Sequence, residues 1–255
     1  MTTLVGSILY HNDPFIDIDR EVLHKERLSE LLKKIYNLSE KMNISLAVDV
    51  EIPVLRMAQE ILDVVSTSIK LPLWISSFNP ELRLEATRLA IDLDLKDRIY
   101  YSTLNYMSND EEFEKVSNMD VGVVIQVFNP RNPLPEGYVE KAQELLKKAD
   151  YFSINENRII LLTTIDIGSI PLAIIAASQL RNMYKFPLCI PISGPITKKF
   201  KEISRNVRKS LLSATLSYVM EDFDIIHFGS LKKFSTIAKV YKLLELYQSR
   251  LKKYR

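Results

Sequence analysis

The sequence predicts an α/β protein, a (β/α)8 TIM barrel, and three observations carry that expectation. Short apolar runs rich in β-branched residues alternate with longer segments of helical period, the pattern of βα units feeding a parallel sheet. The alternation repeats eight times. The length of 255 residues suits one barrel, which typically takes about 250. An open doubly wound sheet is the competing solution, and the absence of a G-x-G-x-x-G turn weakens its dinucleotide-binding form. No Pro/Ser-rich linker, charge block or short repeat divides the chain, so one domain over residues 1–255 is expected.

The expected strands are Leu4–Tyr10, Ser45–Val50, Leu73–Ser76, Ile99–Thr103, Val121–Val127, Ile159–Thr163, Leu188–Ile192 and Ile225–Phe228. Helices fill the gaps. In the first, Leu28, Leu31, Leu32, Ile35 and Leu38 recur at steps of three and four, while Lys33, Lys34 and Glu40 fall elsewhere, giving one apolar stripe. Asn79-Pro80-Glu81 reads as an N-cap, an N1 proline and a first-turn acid, and Ser108-Asn109-Asp110-Glu111 fits a capping box. The sixth helix, about Ile170–Tyr184, is apolar nearly all round and is expected to be the most buried. A long amphipathic helix over Leu231–Tyr254 closes the ring.

Composition narrows the function classes. An apolar share of 47% supplies a core that needs no disulfide or metal. The lone Cys189 sits in the apolar run Phe186-Pro187-Leu188-Cys189-Ile190 and reads as a small buried hydrophobe. With 34 basic against 32 acidic residues there is no bulk field for nucleic acid. No apolar stretch reaches the ~20 residues of a membrane span and no leader pattern opens the chain, so a cytoplasmic protein without membrane insertion is expected. His11, His24 and His227 lack metal-ligand spacing, and no metal is expected.

A barrel of this kind places its site at the C-terminal strand ends. Asp49 ends an otherwise apolar strand, which costs free energy unless the carboxylate is paired or used. Asn105, Asn129 and Asp166 fall just beyond strands four, five and six, where each also suits a helix cap or loop. His227, near the end of strand eight, is a candidate proton donor or a hydrogen-bonded structural residue. Gly168, Gly194 and Gly229 follow strands six to eight, where backbone turns or approaches a ligand. Gly194 with Lys198, and Gly229 with Ser230, lie in the two loops that commonly bind phosphate in barrels, flanked by Lys199, Lys232 and Lys233; solvated lysines are the alternative.

Several segments carry a family likeness. Leu4-Val5-Gly6-Ser7-Ile8-Leu9-Tyr10 resembles the strand-one A/V-G-S-I-F-Y of the methyltransferase H subunit of the tetrahydromethanopterin S-methyltransferase complex. Ser77-Phe78-Asn79-Pro80-Glu81-Leu82-Arg83 is similar to that family's S-T-S-x-x-A-R, and Asp97-Arg98-Ile99-Tyr100-Tyr101-Ser102 to its D-R-x-I-Y-N. Phe128-Asn129-Pro130-Arg131-Asn132-Pro133 resembles F-N-P-x-[ND]-P, and the run from Asp222 to Gly229 resembles G-D-F-V-L-Y-G. The order is kept along the chain. The resemblance implies a barrel of the pterin-binding type that moves a methyl group from N5 of a methyl-tetrahydropterin to a corrinoid held by a partner protein. It implies a tetrahydropterin donor, no covalently bound cofactor, and a corrinoid protein or other methyltransferase subunit as partner; a homodimer is open.

Three positions depart from the pattern. Ser76 stands where the family has the Asp of D-S-T, Ser102 where it has an Asn, and Leu162 where it has the Asp of D-T-A-V. The resemblance assigns all three to pterin binding. Asp49, Asn105, Asn129 and Asp166 with Ser76 and Ser102 as substitutes are then the substrate-binding set, and no catalytic residue is assigned. Two other readings stand beside this one: a non-catalytic homologue that binds a partner subunit, and a barrel for a phosphorylated small molecule.

Overall fold

The structure is a computed structural model that describes residues 2–10, 13–154, 156–199, 203–251 and 253–254, and for residues 198 and 205 the backbone alone. Eight parallel strands close into a barrel: β1 (Thr3–Ile8), β2 (Leu46–Glu51), β3 (Leu73–Ser76), β4 (Ile99–Leu104), β5 (Gly122–Val127), β6 (Arg158–Leu162), β7 (Leu188–Pro191) and β8 (Ile225–Ser230). β1 pairs with β2 on one side and β8 on the other, so no strand of the barrel is left as an edge. The expected strands lie within two residues of these at either end.

The helices are α1 (Lys25–Met42), α2 (Leu55–Ser68), α3 (Pro80–Asp92), α4 (Asp110–Met119), α5 (Pro135–Tyr151), α6 (Ser169–Met183), α7 (Ser193–Lys199), α8 (Arg205–Val219) and α9 (Phe234–Leu251). On α1 the stripe of Leu28, Leu32 and Ile35 is buried as the spacing requires. Asn79 caps α3 by accepting from the Leu82 amide at 3.0 Å, with Pro80 in the first turn. The next cap is one residue off the expected box. Asn109, not Ser108, accepts from the Glu112 amide at 2.8 Å, because Ser108 Oγ is taken by the Asn105 amide.

The sixth helix overturns one expectation. Although α6 is apolar nearly all round, Ile175 is 49% exposed, since a helix outside a barrel lays only one stripe on the sheet. The long C-terminal helix begins with a 3-10 turn, Leu231–Lys233, before α9. The sequence reading also missed a two-stranded ribbon, Ile16–Asp17 with Val22–Leu23, and the short α7 ahead of α8.

The core has two shells because strand side chains alternate. Val5, Ala47, Trp74, Val124, Ile159, Leu161, Cys189 and Ile225 fill the barrel interior. Leu46, Val48, Val50, Ile160 and Leu162 face the other way, into the larger shell under the helices. Cys189 is fully buried, and burial raises its thiol well above the ordinary value, so it packs and does not react. Among the described residues no helix is long and apolar enough to cross a membrane.

Candidate functional site

Inward-facing side chains at the C-terminal strand ends turn polar and enclose a cleft of roughly 610 Å³. Its walls carry Trp74, Tyr106 and Phe128, the last two meeting edge to face with centroids 6.1 Å apart. Flat aromatic walls with a few polar groups between them suit a planar heterocycle.

Asp49 stands at the centre of a polar cluster. Ser7 Oγ donates to Asp49 Oδ2 at 2.8 Å and Ser76 Oγ donates to Oδ1 at 2.6 Å. His227 Nε2 lies 3.2 Å from Oδ2 and 3.0 Å from Ser7 Oγ. With the Ser7 proton directed at Asp49, the network assigns the His227 proton to Nε2, which donates in both contacts. Burial pushes the Asp49 carboxyl up, but the His227 contact and the Ser76 and Ser7 hydroxyls outweigh it and hold Asp49 below the ordinary carboxylate value. Asp49 is therefore an ionised group with both carboxylate oxygens already engaged by donors.

Glu51 is the opposite case. Two residues on along β2, it shares the inner face with Asp49, and among the described residues no side-chain hydrogen bond engages it. Burial, reinforced by the Asp49 charge, raises its carboxyl to about 7. Two carboxyls whose environments drive their proton affinities apart are the arrangement from which acid and base roles are built. In strand register Glu51 pairs with Ser76, so a carboxyl group lies one strand over from Ser76.

Arg83 reaches the cleft from α3 and is almost wholly buried. Its Nη2 meets Glu112 Oε1 at 2.5 Å, its Nη1 donates to the Ser77 carbonyl at 2.5 Å, and its guanidinium lies 4.9 Å from the Tyr101 ring centroid. Tyr101 also donates to Glu112 Oε1 at 2.5 Å, and burial raises its phenol well above the ordinary value. Two buried polar atoms among the described residues have no partner within the protein, Arg83 Nε and Thr163 Oγ1, and both residues line this cleft. Unpaired buried polar groups are rare in folded proteins, and finding both here singles the cleft out as the candidate site.

Of the sequence-predicted residues, Asp49, Ser76, Ser102 and Asn105 line the cleft, as does His227. Asn129 and Asp166 lie outside that lining and order their own loops. Asn129 Oδ1 accepts from the Arg131 amide at 3.1 Å, and Asp166 Oδ1 from the Ser169 amide at 2.8 Å. Leu162 points into the outer shell, whereas Leu161 and Thr163 are the residues from this strand and its end that face the cleft, so the substituted position at 162 does not itself touch a ligand there. Sequence reasoning missed Glu51, Trp74, Gln126 and Thr163; the step of two from Asp49 to Glu51 was the available signal for the first. Among the described residues no group of three or more His, Cys, Asp or Glu side chains is placed to hold a metal.

The loops after β7 and β8 form a second, separate pocket. Gly229 has φ +78, and a Cβ there would come within 2.6 Å of Ser193, so a close approach of the two loops requires glycine. Gly194 meets no such constraint, Gly168 has an ordinary right-handed backbone at the start of α6, and the Lys198 side chain lies outside the described residues.

Residues 1–222 match the family model of the tetrahydromethanopterin S-methyltransferase MtrH subunit. The chain belongs to this family. Its sequence is 25% identical over 142 residues to the MtrH protein of Methanopyrus kandleri, a tetrahydromethanopterin S-methyltransferase subunit, covering 53% of this chain and 43% of that protein. Against the MtrH protein of Methanothermobacter marburgensis the identity is 25% over 140 residues, covering 54% and 45%. The match thus spans less than half the length of these MtrH relatives. Among solved structures, the Xanthomonas albilineans dihydropteroate synthase in complex with 7,8-dihydropteroate superposes with TM-score 0.65 at 14% identity, over 98% of this chain and 94% of that one. The Yersinia pestis dihydropteroate synthase bound to a pterine–sulfa conjugate gives TM-score 0.67 at 10% identity over 98% and 94%. At such identities the likeness is one of fold, and it places this MtrH-family chain on the same barrel.

Proposed function

We propose that the barrel binds a reduced pterin in the cleft and transfers its N5-methyl group to a corrinoid carried by a partner protein, with Glu51 as the proton donor. The observation that carries this is the split between Asp49 and Glu51 inside an aromatic-walled cleft of a chain in the MtrH family. Relatives in that family bear the name of a tetrahydromethanopterin methyltransferase subunit, which supplies the substrate class and the expectation of further subunits.

The geometry supports a division of labour. Trp74, Tyr106 and Phe128 bracket the ring; Ser102, Gln126, Thr163 Oγ1 and Arg83 Nε offer its polar edge hydrogen-bonding groups. Thr103 Oγ1 donates to Gln126 Oε1 at 3.1 Å, which turns the Gln126 amide nitrogen toward other acceptors. A reduced corrinoid, when bound, supplies the electron pair of the new bond to carbon. The pair of the broken C–N bond returns to N5, and Glu51 delivers the proton that makes the pterin a neutral leaving group. Asp49, fixed by His227, Ser7 and Ser76, keeps the Glu51 proton in place near neutral pH and is a positioning residue.

Phe78 is 95% exposed and Met107 76% exposed, and both stand on the rim of the cleft. Apolar side chains displayed around a site mark a protein-facing rim more than a solvent-facing one, which favours an acceptor delivered by a partner. Calorimetry with a reduced tetrahydropterin tests the reading. Saturable binding at micromolar affinity supports it, and no binding at millimolar concentration overturns it.

A further inference from the structure

We propose that the pocket between α7, α8 and the turn after β8 is a second ligand site, built to hold a phosphate group. It is a cavity of roughly 470 Å³ lined by Arg208, Lys209, Lys232 and Lys233, with no carboxylate among the described residues that line it. Hydroxyls of Tyr10, Ser193, Thr197, Ser230 and Thr236 complete the wall. Four cations and five hydroxyls around one concavity form a donor-rich surface, complementary to a multiply charged oxyanion.

Two of the four cations make side-chain contacts within the protein, and among the described residues a single carboxylate offsets the cluster. Lys233 Nζ donates to Ser193 Oγ at 2.8 Å, and Tyr10 donates to Ser230 Oγ at 3.0 Å. Lys232 Nζ sits 5.2 Å from the Tyr10 ring centroid and 5.6 Å from that of Phe15, and 3.5 Å from the buried Asp13, the one carboxylate this cluster meets among the described residues. Burial, with the Arg208 and Lys232 charges beside it, holds the Lys233 ammonium below the ordinary lysine value, the response of a cation crowded by others. The first turn of α8 has no acidic residue to offset the positive end of its dipole, and Arg208 and Lys209 follow it. Charge of one sign is concentrated here at a cost that a bound anion removes.

The sequence pointed to these loops through Gly194 and Lys198, Gly229 and Ser230, and the flanking Lys232 and Lys233; Ser230, Lys232 and Lys233 line the pocket, and Arg208 and Lys209 are the cations the sequence reading did not name. Arg208 and Lys209 come from α8, whose nearness to β8 no local motif announces. The phosphate can belong to a free phosphate ester or to an anionic tail on the ligand of the barrel mouth. The shared chemistry is the oxyanion, and it does not depend on the pterin reading.

The test is a titration of the full chain with inorganic phosphate at constant ionic strength, without pterin, read by calorimetry and by thermal stabilisation. Saturable binding, weakened about tenfold or more in Arg208→Gln and in Lys233→Met and unchanged in Lys115→Gln on α4, supports the site. No saturable binding, or equal binding by all variants, overturns it. If either variant loses its near-ultraviolet dichroism, Lys209→Gln combined with Thr197→Val is expected to weaken binding in the same way. Two further arms separate the sources. Phosphate that competes with a reduced pterin bearing an anionic tail, but not with a tail-less tetrahydropterin, identifies the tail; ribose 5-phosphate binding that is indifferent to both pterins identifies a separate ester.

Discussion

Glu51 follows Asp49 by two residues on the inner face of β2, and the charge of the first helps hold the proton on the second. Asp49 is surrounded by donors and stays ionised, while Glu51 has no side-chain donor among the described residues and takes up its proton as pH falls through about 7.

If Glu51 is the proton donor, methyl transfer should fall as pH rises through about 7, because the donor form is lost there. Glu51→Gln should lower the single-turnover transfer rate by about 10²-fold or more and flatten that alkaline limb, with pterin affinity retained. Asp49→Asn should move the limb toward lower pH by removing the charge that raises Glu51. A limb that is unchanged in both variants sinks the assignment. Stability carries the same sign. A carboxyl raised in the folded state favours folding below its unfolded value of 4.5, and that contribution disappears as pH climbs through about 7.

Ser76→Asp introduces the residue that the resemblance assigns to this position, yet it should be destabilising here. The present Ser76 hydroxyl lies 2.6 Å from Asp49 Oδ1, so a second carboxylate would face the first. A loss of about 1–3 kcal/mol is expected at pH 8, recovering toward pH 5 as the pair takes up a shared proton. Denaturant melts at the two pH values measure it, and equal losses at both would show that charge is not the cause.

Glu112→Gln leaves the Arg83 guanidinium buried without its counter-ion. Both side chains are 6% exposed, so the pair is shielded from solvent, and a loss of about 3–5 kcal/mol is expected by chemical denaturation. The Tyr101 phenol loses its charged acceptor in the same step. A variant as stable as the parent would contradict the buried pair.

Leu161 and Leu162 provide a test of strand register. An aspartate at 162 enters the outer shell between strand and helix and should prevent folding, whereas one at 161 opens into the cleft and should be tolerated. Soluble expression with an intact far-ultraviolet spectrum separates the two outcomes. If Leu162→Asp folds and Leu161→Asp does not, β6 is out of register by one residue.

By itself the sequence determined the barrel, because parallel strands buried on both faces and helices with one apolar stripe each leave periodic signals in local composition. It also singled out Asp49, which lines the cleft, since a carboxylate ending an apolar strand is a local anomaly. Which groups meet at that carboxylate was decided only by tertiary structure. Ser7, Ser76 and His227 come from three strands and converge because barrel closure sets β1 between β2 and β8 and lays β3 along β2. The proton on Glu51 was only half legible: the Asp49 charge lies two residues away in the sequence, but the burial that contributes most to the shift comes from residues joined only by the fold. The same holds for Leu162. A motif can be matched by order alone, but the direction of a side chain is set by the pleat, and a shift of one residue turns it from the cleft to the outer core.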